Sequence, residues 1–282
     1  MIFSQADGIL DLRVQNHYQA GHLKNSTSLP WALLPDSLNE LPASPATLFL
    51  VGDKDEIEAA TMLLDAKGYE VNGSLVIDGD EAMQQWAQTL HNQVVTGCDS
   101  KRLWSPTPLL VEWVNTLTEQ GMDPKALKPR PMALDLGCGG GRDAVFLAQK
   151  GWQVMGIDQE SRVLKRAKQL ATRSKTSVKF KCCDLKQQGC FPEKQFDLVV
   201  VVRYLNRALF DQLDQAIAPG GTLVYQTFVT GVEAFGSPKN PNVILEEGEL
   251  SKVFSSYQIF VDRIDKLKDG RPVSSFIAQK PL

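Results

Sequence analysis

Short apolar runs alternate with amphipathic stretches along most of this chain. In the first 90 residues, three such runs predict buried strands: ILDLR (9–13), TLFLV (47–51) and SLVIDG (74–79). Between them, residues 55–68 place Ile57, Ala60, Thr61 and Leu64 on one stripe, which predicts a helix that stops at Gly68. We therefore expect a small α/β domain over residues 1–92.

A second domain is expected over residues 93–282. Residues 91–105 lack periodicity, which predicts a linker, and the first helix of the domain is expected to open near Pro106 and Pro108. Seven strands are predicted: MALDL, WQVMGID, SVKFKCCD, FDLVVVV, GTLVYQTFV, SYQIFVDRI and PVSSFIAQK. Helical patterns cover 141–150, 161–172, 206–218 and 246–255. Apolar strands alternating with amphipathic helices predict a mostly parallel sheet, covered on both faces. Asp269-Gly270 between the last two strands predicts a hairpin, so the sheet should end antiparallel.

Charge and composition suggest neither nucleic acid nor membrane as a partner. The net charge is −3 and the isoelectric point is near 5.7, so no general attraction to polyanions is expected. The first residues lack a secretory pattern and no run reaches the length of a membrane helix, which predicts a cytoplasmic location. The five cysteines lack CxxC spacing, which predicts reduced thiols and no metal site.

The segment ALDLGCGGGRDA (133–144) joins a strand to a helix through glycines. Such turns usually hold anions, yet Asp135 would repel a phosphate. The dinucleotide fingerprint also fails, because its third glycine would fall on Arg142; a match shifted to Gly139, Gly141 and Ala144 keeps the repulsion. A cationic nucleoside resolves this conflict, and S-adenosylmethionine carries a sulfonium and an ammonium group without any phosphate.

LDLGCGGGRD resembles motif I of class I S-adenosylmethionine-dependent methyltransferases. The resemblance implies a Rossmann-like sheet and a loop that approaches the methionine part of the cofactor, with Asp135 organising the loop near its amino group. The cofactor-binding residues expected in this loop are Asp135, Gly137, Cys138, Gly139, Gly141 and Arg142. Arg102 or Arg142 is expected to pair with the cofactor's carboxylate, and Trp104 to cover the cofactor; the alternative for Trp104 is packing between the domains.

Two later acidic residues extend the cofactor prediction. Asp158 ends the next strand, about 20 residues on, where acidic side chains accept hydrogen bonds from ribose hydroxyls. Asp184 follows the third strand, where the resemblance implies an adenine contact shared with Leu185. Gln159 is included beside Asp158. Taken singly, Asp158 has the alternative role of a helix N-cap and Asp184 that of a turn residue.

Candidate catalytic residues are Arg203 and Tyr204, directly after the fourth strand, where they would hold an anionic acceptor or shape the methyl channel. The NPPF or DPPY motif of amino-group methyltransferases is missing there. The long segment 230–250 is a second candidate acceptor region, with Phe235, Lys239 and Asn240. A surface crossover is the alternative for that segment.

The N-terminal unit resembles a rhodanese domain, because ILDLR and HYQAGHLKNSTSLPW are similar to LDVR and E-[YF]-x-x-GHIPGAxNIP. The catalytic cysteine of a rhodanese would follow TLFLV, where this chain has Gly52–Glu56 and no thiol. The resemblance therefore implies an inactive module that binds a partner or has a structural role. His17 and His22 are interpreted as scaffold residues.

The sequence thus predicts a methyltransferase that acts on a small acceptor, such as a thiol, a metalloid oxyanion or a metabolite. The second domain is similar to tellurite-resistance type methyltransferases and their small-molecule relatives. Two alternatives remain open. One is a regulatory protein that senses the cofactor without turnover, and the other is RNA methylation through the basic residues between 165 and 181.

Overall fold

The computed structural model describes residues 2–77, 79–119 and 131–282. The chain divides into two compact units, Met1–Ser105 and Pro106–Leu282. The first unit thus includes the predicted linker, residues 91–105, and the second unit begins at Pro106, where its first helix was expected. Residues 94–101 are tied to the first unit, because Val94 and Val95 pair with Leu23 and His22, and the Lys101 N–H donates to the Ser26 carbonyl.

The first unit is an α/β domain built on a parallel sheet. Its strands are β1 Gly8–Asp11, β2 His22–Leu23, β3 Ser26–Ser28, β4 Ala46–Gly52, β5 Tyr69–Val76 and β6 Val94–Val95. Its helices are α1 Gln15–Ala20, α2 Lys54–Asp65 and α3 Gly79–Leu90, with 3-10 turns at Ile2–Gln5, Leu34–Asp36, Leu38–Glu40 and His91–Gln93. Within the described ranges, four strands form the main sheet in the order β3-β1-β4-β5, while β2 pairs with β6.

Helix α2 follows the predicted stripe closely. The Asp53 carboxylate accepts a hydrogen bond from the Glu56 N–H at 2.9 Å and so caps the first turn. Ile57, Ala60 and Leu64 are buried, which confirms the predicted face.

Strand β3 was not predicted because its residues, Ser-Thr-Ser, carry no apolar signal. Ser26 is almost fully buried; its carbonyl accepts the Tyr18 hydroxyl at 3.0 Å. The Thr27 hydroxyl donates to the Lys101 carbonyl. Tertiary partners therefore satisfy a polar strand that sequence periodicity could not reveal.

The scaffold interpretation of His22 is confirmed. The His22 ring stacks on Tyr18 with 3.9 Å between ring centroids, and its Nδ1 lies 2.9 Å from the Tyr18 carbonyl. Nearby, Arg13 forms a buried ion pair with Asp11, with Nη2 2.6 Å from Oδ2, and donates also to the Gly21 carbonyl.

The second unit contains the larger sheet. Its strands are β7 Met132–Leu136, β8 Gln153–Asp158, β9 Lys179–Cys182, β10 Phe196–Val202, β11 Ile217–Phe228, β12 Gln258–Lys266 and β13 Pro272–Gln279. Its helices are α4 Pro108–Glu119, α5 Arg142–Gln149, α6 Ser161–Arg173, α7 Phe210–Ala216 and α8 Glu249–Val253, with 3-10 turns at Arg207–Leu209, Val232–Phe235 and Pro241–Val243. In this described part the strand order is β12-β13-β11-β10-β7-β8-β9.

The predicted mixture of parallel and antiparallel strands is confirmed. Strands β7 to β11 pair in parallel, and β13 is antiparallel to both β11 and β12. The boundaries differ in places: β11 begins at Ile217 rather than Gly221, and α8 spans five residues rather than ten. The chain order reverses between β7 and β10, and parallel α/β sheets bind ligands at the carboxyl edge beside such a reversal.

The prediction of five reduced thiols was wrong for two of them. A disulfide joins Cys183 to Cys190, whose Cα atoms lie 5.6 Å apart across a turn of the chain after β9. Cys98, Cys138 and Cys182 are free. In the part of the chain that the structure describes, no helix combines the length and apolarity needed to span a bilayer, and no group of three His, Cys, Asp or Glu residues is placed to hold a metal.

Candidate functional site

The glycine loop between β7 and α5 forms the centre of the candidate site. Gly137, Gly139 and Gly141 have φ of 69°, 50° and 78°, a region that L-residues other than glycine rarely occupy. Space is also limiting, since a Cβ on Gly137 would lie 3.1 Å from the Cβ of Tyr204, and one on Gly141 2.8 Å from that of Ala167. Gly137 can therefore lie this close to Tyr204, and Gly141 this close to helix α6, only because they have no side chain.

Strand β8 anchors this loop. The N–H groups of Gly137 and Cys138 donate to the Ile157 carbonyl at 2.8 and 3.0 Å. Next to it, the Asp158 carboxylate accepts the Gly139 N–H and the Glu160 N–H, both at 2.9 Å. Helix α6 begins at Ser161 and its N-cap is Glu160, so Asp158 is not the N-cap that the alternative interpretation required. Gln159 is exposed beside it.

Asp135 is buried below the loop, with 2% of its surface exposed. Its Oδ2 has no hydrogen-bond partner in the described residues. Burial, reinforced by the nearby Asp143 carboxylate, raises the pKa of Asp135 well above its usual value. A buried acceptor without a partner is costly, and a cationic group at the loop would satisfy it.

Asp143 is a site residue that the sequence analysis did not single out. Its carboxylate accepts the Thr107 N–H and the Thr107 hydroxyl, both at 2.7 Å. This pair links the start of α5 to the segment that precedes α4. The signal in the sequence was an acidic residue in the first turn of a helix, where the helix dipole favours it.

Asp184 and Leu185 lie after β9, as predicted. The Asp184 carboxylate accepts the Lys186 N–H at 3.0 Å and its carbonyl accepts the Gln187 N–H at 2.9 Å, so the residue does form a turn. Leu185 is buried. A cavity of about 780 Å³ opens beside Leu185 and is lined also by Asn206 and the segment 186–194.

Arg203 and Tyr204 follow β10 on the same edge. Arg203 has a left-handed backbone, with φ of 54°, and its N–H donates to the Gln226 carbonyl of β11 at 2.8 Å. The Tyr204 side chain lies beside the glycine loop, since a Cβ built on Gly137 would lie 3.2 Å from its Cγ. Burial raises the pKa of the Tyr204 hydroxyl, which makes it a poor proton acceptor near neutral pH.

The structure therefore gathers most of the predicted second-unit residues at one edge of the sheet. Cys138 is buried within the loop and burial raises the pKa of its thiol, while Arg142 is half-buried at the start of α5. Arg102 and Trp104 belong to the first unit, where the Arg102 guanidinium lies 4.6 Å from the Trp104 ring centroid. Their role toward a cofactor stays a prediction.

Comparison with known proteins agrees with this geometry. Residues 133–221 match the family model of a methyltransferase domain. A Schizosaccharomyces pombe protein described as uncharacterized is 27% identical over 320 aligned residues, which cover 96% of this chain and 93% of that protein. A ubiquinone biosynthesis O-methyltransferase of Idiomarina loihiensis is 28% identical over 36% of this chain and 44% of its own length. A solved structure of a SAM-dependent methyltransferase from Methanosarcina mazei covers 63% of this chain and 99% of that one, with 19% identity and a TM-score of 0.48.

The sheet and the glycine loop form an α/β Rossmann-like fold in the second unit, and residues 133–221 of it match a methyltransferase domain. The site fits S-adenosylmethionine on its own geometry, because it offers an unsatisfied buried carboxylate oxygen and a loop in which Gly137 and Gly141 leave no room for a Cβ.

Proposed function

We propose that the protein methylates a small-molecule acceptor whose nucleophile enters the site already ionised, or is readily ionised, such as a thiol, a metalloid oxyanion or an acidic metabolite. The observation that carries the proposal is that the carboxylates of Asp135 and Asp158 both lie at the glycine loop, beside the reversal of the strand order. Carboxylates at that position attract a positively charged nucleoside and repel a phosphorylated one.

In this proposal each residue of the edge has a role in holding the cofactor. Asp158, with Gln159 beside it, receives the ribose, and Asp184 with Leu185 receives the adenine. The loop residues Gly137, Cys138, Gly139 and Gly141 line the methionine part, where Asp135 accepts from the ammonium group. Arg142, at the start of α5, pairs with the carboxylate of the cofactor. When bound, the cofactor supplies an electrophilic methyl group.

The acceptor chemistry follows from the residues available to move a proton. All three histidines, at positions 17, 22 and 91, belong to the first unit. The raised pKa of Tyr204 disfavours it as a base. Methyl transfer is an in-line displacement that depends on positioning and water exclusion, so an anionic acceptor needs no dedicated base. The O-methyltransferase relative makes an acidic hydroxyl one candidate.

We also propose that the first unit is a rhodanese-like module without sulfur-transfer activity. Its parallel order β3-β1-β4-β5 and the Asp11–Arg13 pair support the resemblance. Where a sulfur-carrying cysteine would stand, the chain has Gly52–Glu56, and burial together with Asp53 raises the pKa of Glu56. A protein partner or a structural role is therefore proposed for this unit.

Calorimetric titration of the full chain with S-adenosylmethionine tests the cofactor site, and we expect Asp158→Ala to weaken binding at least tenfold. Mass-spectrometric detection of S-adenosylhomocysteine then tests turnover with thiol, oxyanion and phenolic acceptors. Binding without turnover on any of them, or with cell extract, would favour the cofactor-sensing alternative. Absence of binding at millimolar cofactor would refute the proposal.

A further inference from the structure

Arg203 has an unusual backbone at the carboxyl end of β10. Its φ of 54° places a long side chain in the left-handed region, which is unfavourable for a residue with a Cβ. The hydrogen bond from its N–H to the Gln226 carbonyl holds this conformation. A strained residue at a sheet edge that binds ligands indicates that its side-chain direction matters.

The Arg203 guanidinium is available for a ligand. Its side chain is exposed, and no oxygen in the described ranges accepts a hydrogen bond from it. Its charge interacts with those of Asp143, Asp269 and Arg271. The two arginines contact the same end of β11, since the Arg203 N–H donates to the Gln226 carbonyl and Arg271 lies over the Phe228 ring. Asp143 is already engaged by both groups of Thr107, so it does not neutralise Arg203 fully.

Arg271 provides a second, firmly held guanidinium near Arg203. Its Nε and Nη2 lie 2.9 and 2.8 Å from the Asp269 carboxylate, and its Nη1 lies 3.4 Å from the Ser237 carbonyl. The group also lies over the Phe228 ring, 4.9 Å from the centroid. A guanidinium has five N–H donors, so these contacts leave donors free for a further acceptor.

The Asp269 carboxylate is hydrogen-bonded to Arg271 and interacts with Arg203 through charge alone. Each guanidinium carries a full positive charge, and Asp269 is the acidic residue that interacts with both. Like charges that lie near each other repel, and an anion bound between the two guanidinium groups would offset that repulsion. The planar donor fork of arginine is suited to carboxylate and phosphate groups.

An exposed aromatic ring lies beside this pair. Phe235, from the long segment after β11, is 51% exposed, and a Cβ on Gly270 would lie 3.0 Å from its ring. The Arg271 contact to Ser237 fixes the same segment to the β12–β13 turn. An apolar face next to two guanidinium groups favours an organic body rather than an inorganic anion.

We propose that Arg203 and Arg271 bind the carboxylate of a small organic acid, the methyl acceptor, with its planar apolar part against Phe235. This inference rests on the proposed function and names its acceptor class. The carboxylate serves for recognition and orients the nucleophile of the same molecule. Asn240, which the sequence analysis placed near the acceptor, instead caps the turn at Asn242.

The test uses the full chain saturated with S-adenosylhomocysteine, and 4-mercaptobenzoate and its neutral amide as paired probes, titrated calorimetrically. We expect the carboxylate probe to bind at least tenfold more tightly than the amide. Arg203→Gln and Arg271→Gln should each abolish that preference, and Arg271→Lys should retain part of it. Arg263→Gln is the charge-matched control. Arg263 lies on β12, where it pairs with Glu112 of α4 and with Asp265, so this variant should leave the preference intact.

Equal or undetectable binding of both probes to the wild type would overturn the inference, and so would a preference that survives both Gln variants. Tighter binding of inorganic selenite than of either organic probe would also overturn it, in favour of an inorganic oxyanion. Binding of S-adenosylhomocysteine is measured first in every variant. Its loss in the wild type would refute the proposed function itself, whereas retained binding confines a negative result to the acceptor class.

Discussion

The packing of the glycine loop against α6 gives a sharp prediction. In Gly141→Ala, the new Cβ would lie 2.8 Å from the Ala167 Cβ and 3.2 Å from its Cα. These atoms belong to buried, packed surroundings, so the loop or helix must shift, at a cost of about 1–3 kcal/mol for overpacking. The left-handed φ of 78° adds about 1–2 kcal/mol. The second unit should therefore lose about 2–5 kcal/mol of unfolding free energy.

Gly189→Ala is the matched control for this variant. Gly189 has the same φ of 78°, but a Cβ there would meet nothing within 4 Å. It should lose only the backbone component, about 1–2 kcal/mol. The effect of alanine on the unfolded chain is similar in both variants, so the difference between them isolates the packing cost.

Urea unfolding followed by circular dichroism measures both variants, and the transition that S-adenosylhomocysteine shifts is assigned to the second unit. Gly141→Ala should also weaken binding of that ligand, because the loop that carries Asp158's partner Gly139 moves. Equal losses of unfolding free energy in the two variants would refute the packing argument.

Further predictions concern buried charge, hydrogen bonding and the disulfide. Burial raises the pKa of Asp135 above its value in the unfolded chain, so cofactor affinity should increase with pH as this carboxyl ionises. From the ordinary carboxyl pKa upward, the unfolding free energy of the cofactor-free protein should fall. Asp135→Asn should lose both trends in calorimetric and urea titrations between about pH 4 and 8. Asp158→Ala removes the acceptor of two N–H groups, so cofactor binding should weaken by about 1.5–3 kcal/mol in calorimetry. Arg13→Gln leaves Asp11 buried without its ion-pair partner, which should cost about 3–5 kcal/mol of unfolding free energy in urea titration of the first unit. Thiol titration of the unfolded, unreduced chain should find three thiols, those outside the Cys183–Cys190 bond, and five after reduction.

Each of these has a distinguishing outcome. A pH-independent cofactor affinity in the wild type would show that Asp135 does not change charge on binding. Unchanged cofactor affinity in Asp158→Ala would show that the Asp158 carboxylate does not contribute to cofactor binding. The double variant Asp11→Asn with Arg13→Gln should recover part of the stability lost in Arg13→Gln, since no unpaired charge remains. Five reactive thiols before reduction would contradict the disulfide.

Much of the second unit could be predicted because its strands are nearly continuous apolar runs. MALDL and FDLVVVV coincide with β7 and β10, since strands buried on both faces carry a signal that needs no tertiary context. The short strand β3 escaped prediction, because serine and threonine are buried there only through partners distant in sequence. The early start of β11 was missed for a related reason, as its first residues include Gly220 and Gly221.

Some residues of the candidate site could likewise be predicted from the sequence, and others could not. Asp135, the loop glycines and Asp158 could be found from spacing, because a strand, a tight turn and a helix impose local backbone requirements. Asp143 and Arg271 could not, because their importance depends on Thr107 and Asp269 and on neighbours across the sheet edge. The disulfide was also missed, because its cysteines lack a recognisable motif.

The sequence alone determined the local features of this protein: which runs become buried strands, where glycine must permit a left-handed turn, and that carboxylates rather than cations follow the strands at the cofactor loop. These depend on periodicity and backbone sterics within a few residues. Only the tertiary structure decided which of the charged residues meet. It set Asp158 against Gly139, left Asp135 with an unsatisfied oxygen, and brought Arg203 near Arg271. Electrostatic interactions depend on distance and burial in space, and sequence spacing specifies neither for residues about 70 positions apart.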